Sequence, residues 1–295
     1  MKKLFIFLST FSFFAFNPLN ASNHQFLLDE ELLDHVNVEV IKESPQREET
    51  IDLNNLNKAV SFSEEQETNI WEIEEWEINK NSVFNWKEIS EKAYTDISAA
   101  YQLACAWKSA KKGLEKNPYK AIRGFLSITE NFENTESKYF DKSTDKLNSI
   151  FNFYEEKHEK ASLDHSDIKQ TEEDFVCMGL LYYQWKANIN KAEEFFQKPI
   201  SLHMKRMESK VEETDDQKGW IAKSYLWLGI GMYYKDMFLK NLSEEFKNFT
   251  GIKDESSEKE ATKICFEKAI EWENHYPTKE VTTRAFNFIG QLSQN

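Results

Sequence analysis

Residues that could do chemistry are few, and they are scattered. His158, Glu159, Asp164, His165 and Asp167 form the nearest approach to a metal cluster, since imidazole and carboxylate suit hard and borderline cations. The two histidines are seven apart at an expected helix end, where polar residues gather in any case. DKSTDK, residues 141–146, has carboxylates but lacks the glycine and the closing glutamate of a calcium loop. Cys105, Cys177 and Cys265 fall in apolar helical patterns, where burial raises a thiol's pKa and makes it inert. There is no glycine-rich phosphate loop, no Gly-x-Ser-x-Gly and no His-Glu-x-x-His. Glutamate is so abundant that no particular carboxylate pair stands out for hydrolysis. The sequence therefore implies no catalytic residue, no metal and no cofactor.

Charge narrows the partners. The chain of 295 residues carries −14. Residues 22–100 hold 19 acidic and 6 basic side chains, hence −13. Phosphate neutralisation needs clustered Lys and Arg, so nucleic acid and anionic membrane surfaces are excluded as targets. The first residues read as a secretory signal: Lys2 and Lys3, an apolar run from Leu4 to Phe16, and a small residue for cleavage at Ala21. No second apolar run of spanning length follows, so the expectation is an exported chain, periplasmic or secreted, with no membrane anchor after cleavage. The Lys-Lys start and an Asn-, Lys- and Phe-rich composition suit a bacterium with an AT-rich genome.

The elements that must position any site are helices. Eight Gly and five Pro are too few for a turn-dense β-sandwich or barrel. Residues 22–84 form an acidic, partly disordered region containing Trp71 and Trp76; its Trp-bearing stretch reads as a capping helix, a partner-binding arm or a segment that folds back. From residue 85 the apolar period is helical, with helices over 86–112, 118–136, 143–161, 171–187, 189–212, 216–240, 257–274 and 278–292, and a short one at 244–248. Asn85 with Glu88, Thr214 with Gln217, and Ser257 with Glu260 sit as helix caps with reciprocal partners.

Glycines recur inside apolar helical runs in matching surroundings. Phe175-x-x-Met178-Gly179-x-x-Tyr182, Tyr225-x-x-Leu228-Gly229-x-x-Met232 and Phe286-x-x-Ile289-Gly290 share one pattern, and Ala100-x-x-Leu103-Ala104-x-x-Trp107 has alanine for glycine. A second stripe reads Ala121-x-x-x-Phe125, Ala192-x-x-x-Phe196 and Thr262-x-x-x-Phe266-x-x-Ala269. An interior glycine costs about 1 kcal/mol against alanine, so it is expected where another helix passes close.

Together the two stripes resemble the tetratricopeptide repeat, a helix–turn–helix of about 34 residues, over roughly 95–295. The related Sel1 type shares the Leu-Gly-x-x-Tyr element but wants a glycine-rich turn that this chain lacks. The spacing from the small residue of the first helix to that of the second is 17, 13 and 33 residues, so only the middle unit is regular and the third carries an insertion. The resemblance implies an all-α fold, an irregular tetratricopeptide-like α-solenoid of antiparallel helix pairs over 85–295, and a non-enzymatic role in binding a protein or peptide in a groove lined by first helices. Carried onto this chain, the groove positions are Tyr101, Lys108, Tyr183, Gln184, Lys223, Tyr233 and Tyr234. Two readings of the tyrosines stand: exposed partner contacts, or half-buried packing between helices. The other functional readings are an exported hydrolase on a helical scaffold and a secreted effector acting on a host cell.

Overall fold

The computed structural model describes residues 89, 92–93, 95–109, 116–132, 138–163, 169–237, 239–253, 256–273 and 280–294. The signal-like stretch, the acidic region over 22–84 and the Asn85–Glu88 cap lie outside the described residues. The fold is all-α: the described residues contain helices and no strand. In chain order we label them α1 (Ile97–Ser109), α2 (Pro118–Asn131), α3 (Lys138–Ala161), α4 (Glu172–Leu180), α5 (Ile189–Glu208), α6 (Asp215–Tyr233), α7 (Glu244–Thr250), α8 (Glu258–Glu273) and α9 (Glu280–Gln294). A π-helical turn, Leu181–Trp185, continues α4, and a 3-10 turn, Leu239–Asn241, precedes α7. No described helix is long and apolar enough to cross a membrane.

The helix starts are written locally. Pro118 opens α2 with its fixed φ, and the Asn117 side chain accepts the Lys120 N–H at 2.9 Å. Thr214 and Gln217 form a complete capping box on α6. Thr171 and Asp174 form another on α4, and Asp174 also takes Lys157 at 2.9 Å, tying α3 to α4. The ends depart more from the periodicity. The pattern predicts 189–212 and 216–240, but α5 stops at Glu208 and α6 at Tyr233. The chain turns left-handed at Lys210 (φ 55°) and Lys235 (φ 62°), which ends a right-handed helix even without a glycine. At the other extreme α3 begins at Lys138, so DKSTDK lies in helix.

Helices adjacent in the chain pack on one another: α1 on α2, α2 on α3, α4 on α5, α5 on α6 across their loop, and α8 on α9. The insertion between α6 and α8 does not part them, and α6 packs on α8 as closely as any pair. Longer-range contacts join α4 to α6 and α6 to α9, and α2 lies on α4.

One contact recurs. A Cβ built on Gly179 would lie 2.5 Å from the Phe196 ring of α5, and one on Gly229 would lie 2.7 Å from the Phe266 ring of α8. Each phenylalanine also stacks on an aromatic ring of a later helix. Phe196 stacks on Trp227 (centroids 6.1 Å apart, 9° between planes), and Phe266 stacks on Phe288 (5.1 Å, 7°). Trp227 is two residues before Gly229, and Phe288 is two residues before Gly290, so both contacts use the same register. Near the start of the domain the contact is made between small residues instead: a Cβ on Gly124 would lie 2.8 Å from that of Ala104. Gly290 differs from its two counterparts, with nothing within 4 Å of an added Cβ. Its place in the motif predicts a neighbouring backbone, and the described structure puts none there.

Gly179→Ala and Gly229→Ala should each destabilise the fold. Alanine returns about 1 kcal/mol of helix propensity, but a methyl group forced onto a ring already stacked on a second ring costs about 1–3 kcal/mol. We expect a net loss of up to about 2 kcal/mol in urea titrations; a gain in stability in both variants would contradict the contact.

Candidate functional site

Helix α2 is covered on two sides. Ala121, Ile122, Gly124, Phe125, Leu126 and Ile128 are all buried. Gly124 faces α1, while a second stripe, Tyr119, Arg123 and Glu130, faces later helices. Tyr119 Oη accepts the Trp227 Nε1–H at 2.9 Å, and its ring meets Trp220 edge-on at 5.8 Å. Arg123 pairs with Glu280 at the start of α9. Gln184 donates to Glu130 at 3.4 Å. These links fasten α2 to the side of α4, α6 and α9 that carries several of the expected groove residues.

Charges are concentrated along that seam. Lys223 Nζ lies 4.2 Å from the Trp220 ring centroid and 5.5 Å from that of Tyr119. Burial lowers the Lys223 pKa, opposed by Glu280, Glu273 and Glu173. Burial would raise Glu280, yet Arg123, Lys223 and Arg284 outweigh it and hold that carboxyl below its usual range. The Arg284 guanidinium sits over the Trp227 ring at 5.1 Å. Glu273, on α8, accepts the backbone N–H groups of Val281 (2.9 Å) and Thr282, which caps the start of α9. Glu130 is pushed up to about 7, chiefly by burial.

The seven expected partner residues separate into two groups. Tyr183, Gln184, Tyr233 and Tyr234 come together where the π turn, the end of α6 and α9 meet. Tyr183 Oη donates to Asp236 at 2.7 Å, and its ring stands edge-on to Trp227 at 6.2 Å. Tyr233 Oη donates to Gln291 at 3.0 Å. The Tyr233 and Tyr234 rings both pack on Phe288, at 5.0 and 6.1 Å. The other three lie elsewhere. Tyr101 is half-buried between Phe125 (5.8 Å) and Tyr139 (5.4 Å). Lys108 is only 2% exposed, so its place in the motif does not make it a surface position. Lys223 is engaged by Trp220 of its own helix and Tyr119 of α2.

Residues that the pattern did not single out complete the tyrosine cluster: Asp236, Glu130, Trp227 and Phe288. No signal announced the π turn. It shifts the register so that Tyr182 stacks on Phe195 (5.4 Å, 14°), donates to Glu155 and accepts from Lys191 at 2.8 Å.

Elsewhere, a polar cavity of about 640 Å³ opens between α5 and the insertion, lined by Asn190, Glu193, Gln197, Asn241, Ser243 and Glu245 among others. Glu193 is 2% exposed, and burial pushes its carboxyl up to about 7 against a hydrogen bond from Asn241. The three thiols are buried and in no disulfide; burial raises Cys105 to about 11 and the other two further. His158 meets Gln170 at 2.8 Å and the Phe195 ring, while Asp164, His165 and Asp167 lie outside the described residues. Among the described residues no group of His, Cys, Asp and Glu is placed to hold a metal ion.

Comparison with known proteins found no match to any family model, curated protein or solved structure.

The raised Glu193 pKa sets a pH dependence. A carboxyl that keeps its proton to about 7 in the fold, against 4.5 unperturbed, favours folding below pH 4.5 and loses that contribution as pH climbs through 7. In Glu193→Gln the fall in unfolding free energy between pH 5 and pH 8 should shrink by about 2–3 kcal/mol. Parallel curves for wild type and variant would contradict the assignment.

Proposed function

We propose that this chain is an exported, non-enzymatic interaction scaffold of the tetratricopeptide-like kind, an irregular α-solenoid of antiparallel helix pairs acting in a bacterial envelope or outside the cell. What supports the scaffold is the recurring Gly–Phe–aromatic contact, made twice in one register. In this reading each helix pair presents one face to the next, and the pairs stack through the phenylalanine.

The partner is a protein or peptide. It docks on the rim formed by Tyr183, Gln184, Tyr233 and Tyr234, at the end of α4 and α6. The carrying observation is that the Tyr183 and Tyr233 hydroxyls are held by exposed hydrogen bonds, to Asp236 and Gln291, which an incoming backbone can exchange. Their rings are already fixed by Trp227 and Phe288, so little side-chain entropy is lost on binding. Tyr101, Lys108 and Lys223 support the scaffold from inside. Glu130 and Asp236 flank the rim and favour a partner that brings cationic or N–H donor groups.

The test is a pull-down with the full chain beside a Tyr183→Ala, Tyr233→Ala double variant, after circular dichroism shows the two equally helical. A protein captured by wild type should be lost, or reduced about tenfold or more, with the double variant. Undiminished capture by the double variant would overturn the rim assignment.

A further inference from the structure

The contact made at Gly179 and Gly229 has a third copy of its residues with one side open. In α4 and α6 the residue four before the glycine, Phe175 or Tyr225, is buried, and a phenylalanine of a later helix lies on the glycine itself. The corresponding residues of α9 are Phe286 and Gly290. Phe286 is 59% exposed, and nothing lies within 4 Å of a Cβ added to Gly290. Yet Phe288 is stacked on Phe266 just as Trp227 is on Phe196, so α9 is seated in the common register. Among the described residues, nothing covers the face that would receive the next phenylalanine.

We propose that this face of α9 pairs with the same face of a second copy of the chain. Two features select a copy of itself. The first is shape. Two α9 helices crossing antiparallel about a two-fold axis level with Phe288 place Phe286 of each copy opposite Gly290 of the other, because knob and socket are four residues apart on one stripe. Such an interface is self-complementary, as a two-fold contact requires. The second is charge. The chain carries −14, of which −13 sits in residues 22–100, and from Ala285 to Gln294 α9 has no ionisable side chain. A neutral face lets a like-charged copy approach. It offers no cation to the acidic segment over 22–84 and no carboxylate to a basic partner.

The interface is short. Fifteen residues span about 22 Å, so the contact lies at the low end of specific interfaces and the dimer exchanges with monomer. This inference is independent of the tyrosine rim, since a monomer could still bind through Tyr183 and Tyr233.

Sedimentation velocity on the full chain over a wide concentration series provides the test. Wild type should pass from monomer to dimer as concentration rises. Phe286→Glu should weaken the dimer about tenfold or more. Gly290→Ala separates pairing from folding: it should raise the midpoint of thermal unfolding, because the added methyl meets nothing in the monomer, and weaken the dimer several-fold, because it meets Phe286 of the second copy. Benzoylphenylalanine in place of Phe286 should cross-link to α9 of another chain. A wild type that stays monomeric throughout, variants that dimerise as wild type does, or cross-links to the chain's own residues 1–88 would each overturn the proposal.

Discussion

A phenylalanine ring laid flat on a bare stretch of helix backbone is the contact on which the rest of this structure depends. At Gly179 and Gly229 the missing side chain makes room for Phe196 and Phe266, and each ring is then closed over by Trp227 or Phe288. The arrangement joins three helices through one side chain. It also sets how close those helices come, since a methyl group at the glycine would overlap the ring. Burial of each ring contributes about 2–3 kcal/mol, against about 1 kcal/mol that the interior glycine costs the helix.

That constraint is local, so the chain between its parts is at liberty to vary. The gap from Gly179 to Ala192 is 13 residues and that from Gly229 to Thr262 is 33, yet both sites are built alike. Closing a longer loop costs little more than closing a short one. The extra residues fold into the 3-10 turn and α7. They are fastened by Glu258, which accepts the Leu239 N–H at 3.2 Å, and by Gln197, which accepts that of Ser243 at 3.2 Å.

Much of the helical layout was legible because it is carried by neighbours in sequence. Apolar period, Pro118 and the Thr214–Gln217 box locate helices without any knowledge of the fold. The ends of α5 and α6 were not legible, because Lys210 and Lys235 adopt a conformation that sequence associates with glycine. The site was legible only in part. Tyr183, Gln184, Tyr233 and Tyr234 share an end of the molecule, but their partners Asp236, Glu130 and Gln291 are polar residues with no periodic mark. Lys108 and Lys223 look like surface charges in a helical period; the first is buried and the second lies by the rings of Trp220 on its own helix and Tyr119 on α2. Gly290 matches the motif yet has no neighbour among the described residues, since a motif encodes the socket and not what fills it.

The account stands on the coupling between Gly179 and Phe196, which a double-mutant cycle measures directly. Gly179→Ala is made in the wild-type chain and in a Phe196→Ala background, and unfolding free energies are compared. With the ring gone the methyl group has space, so the substitution that destabilises the wild type should become neutral or stabilising, a coupling of about 1–3 kcal/mol. Equal effects of Gly179→Ala in the two backgrounds would contradict the ring-on-backbone contact and, with it, the scaffold built on it.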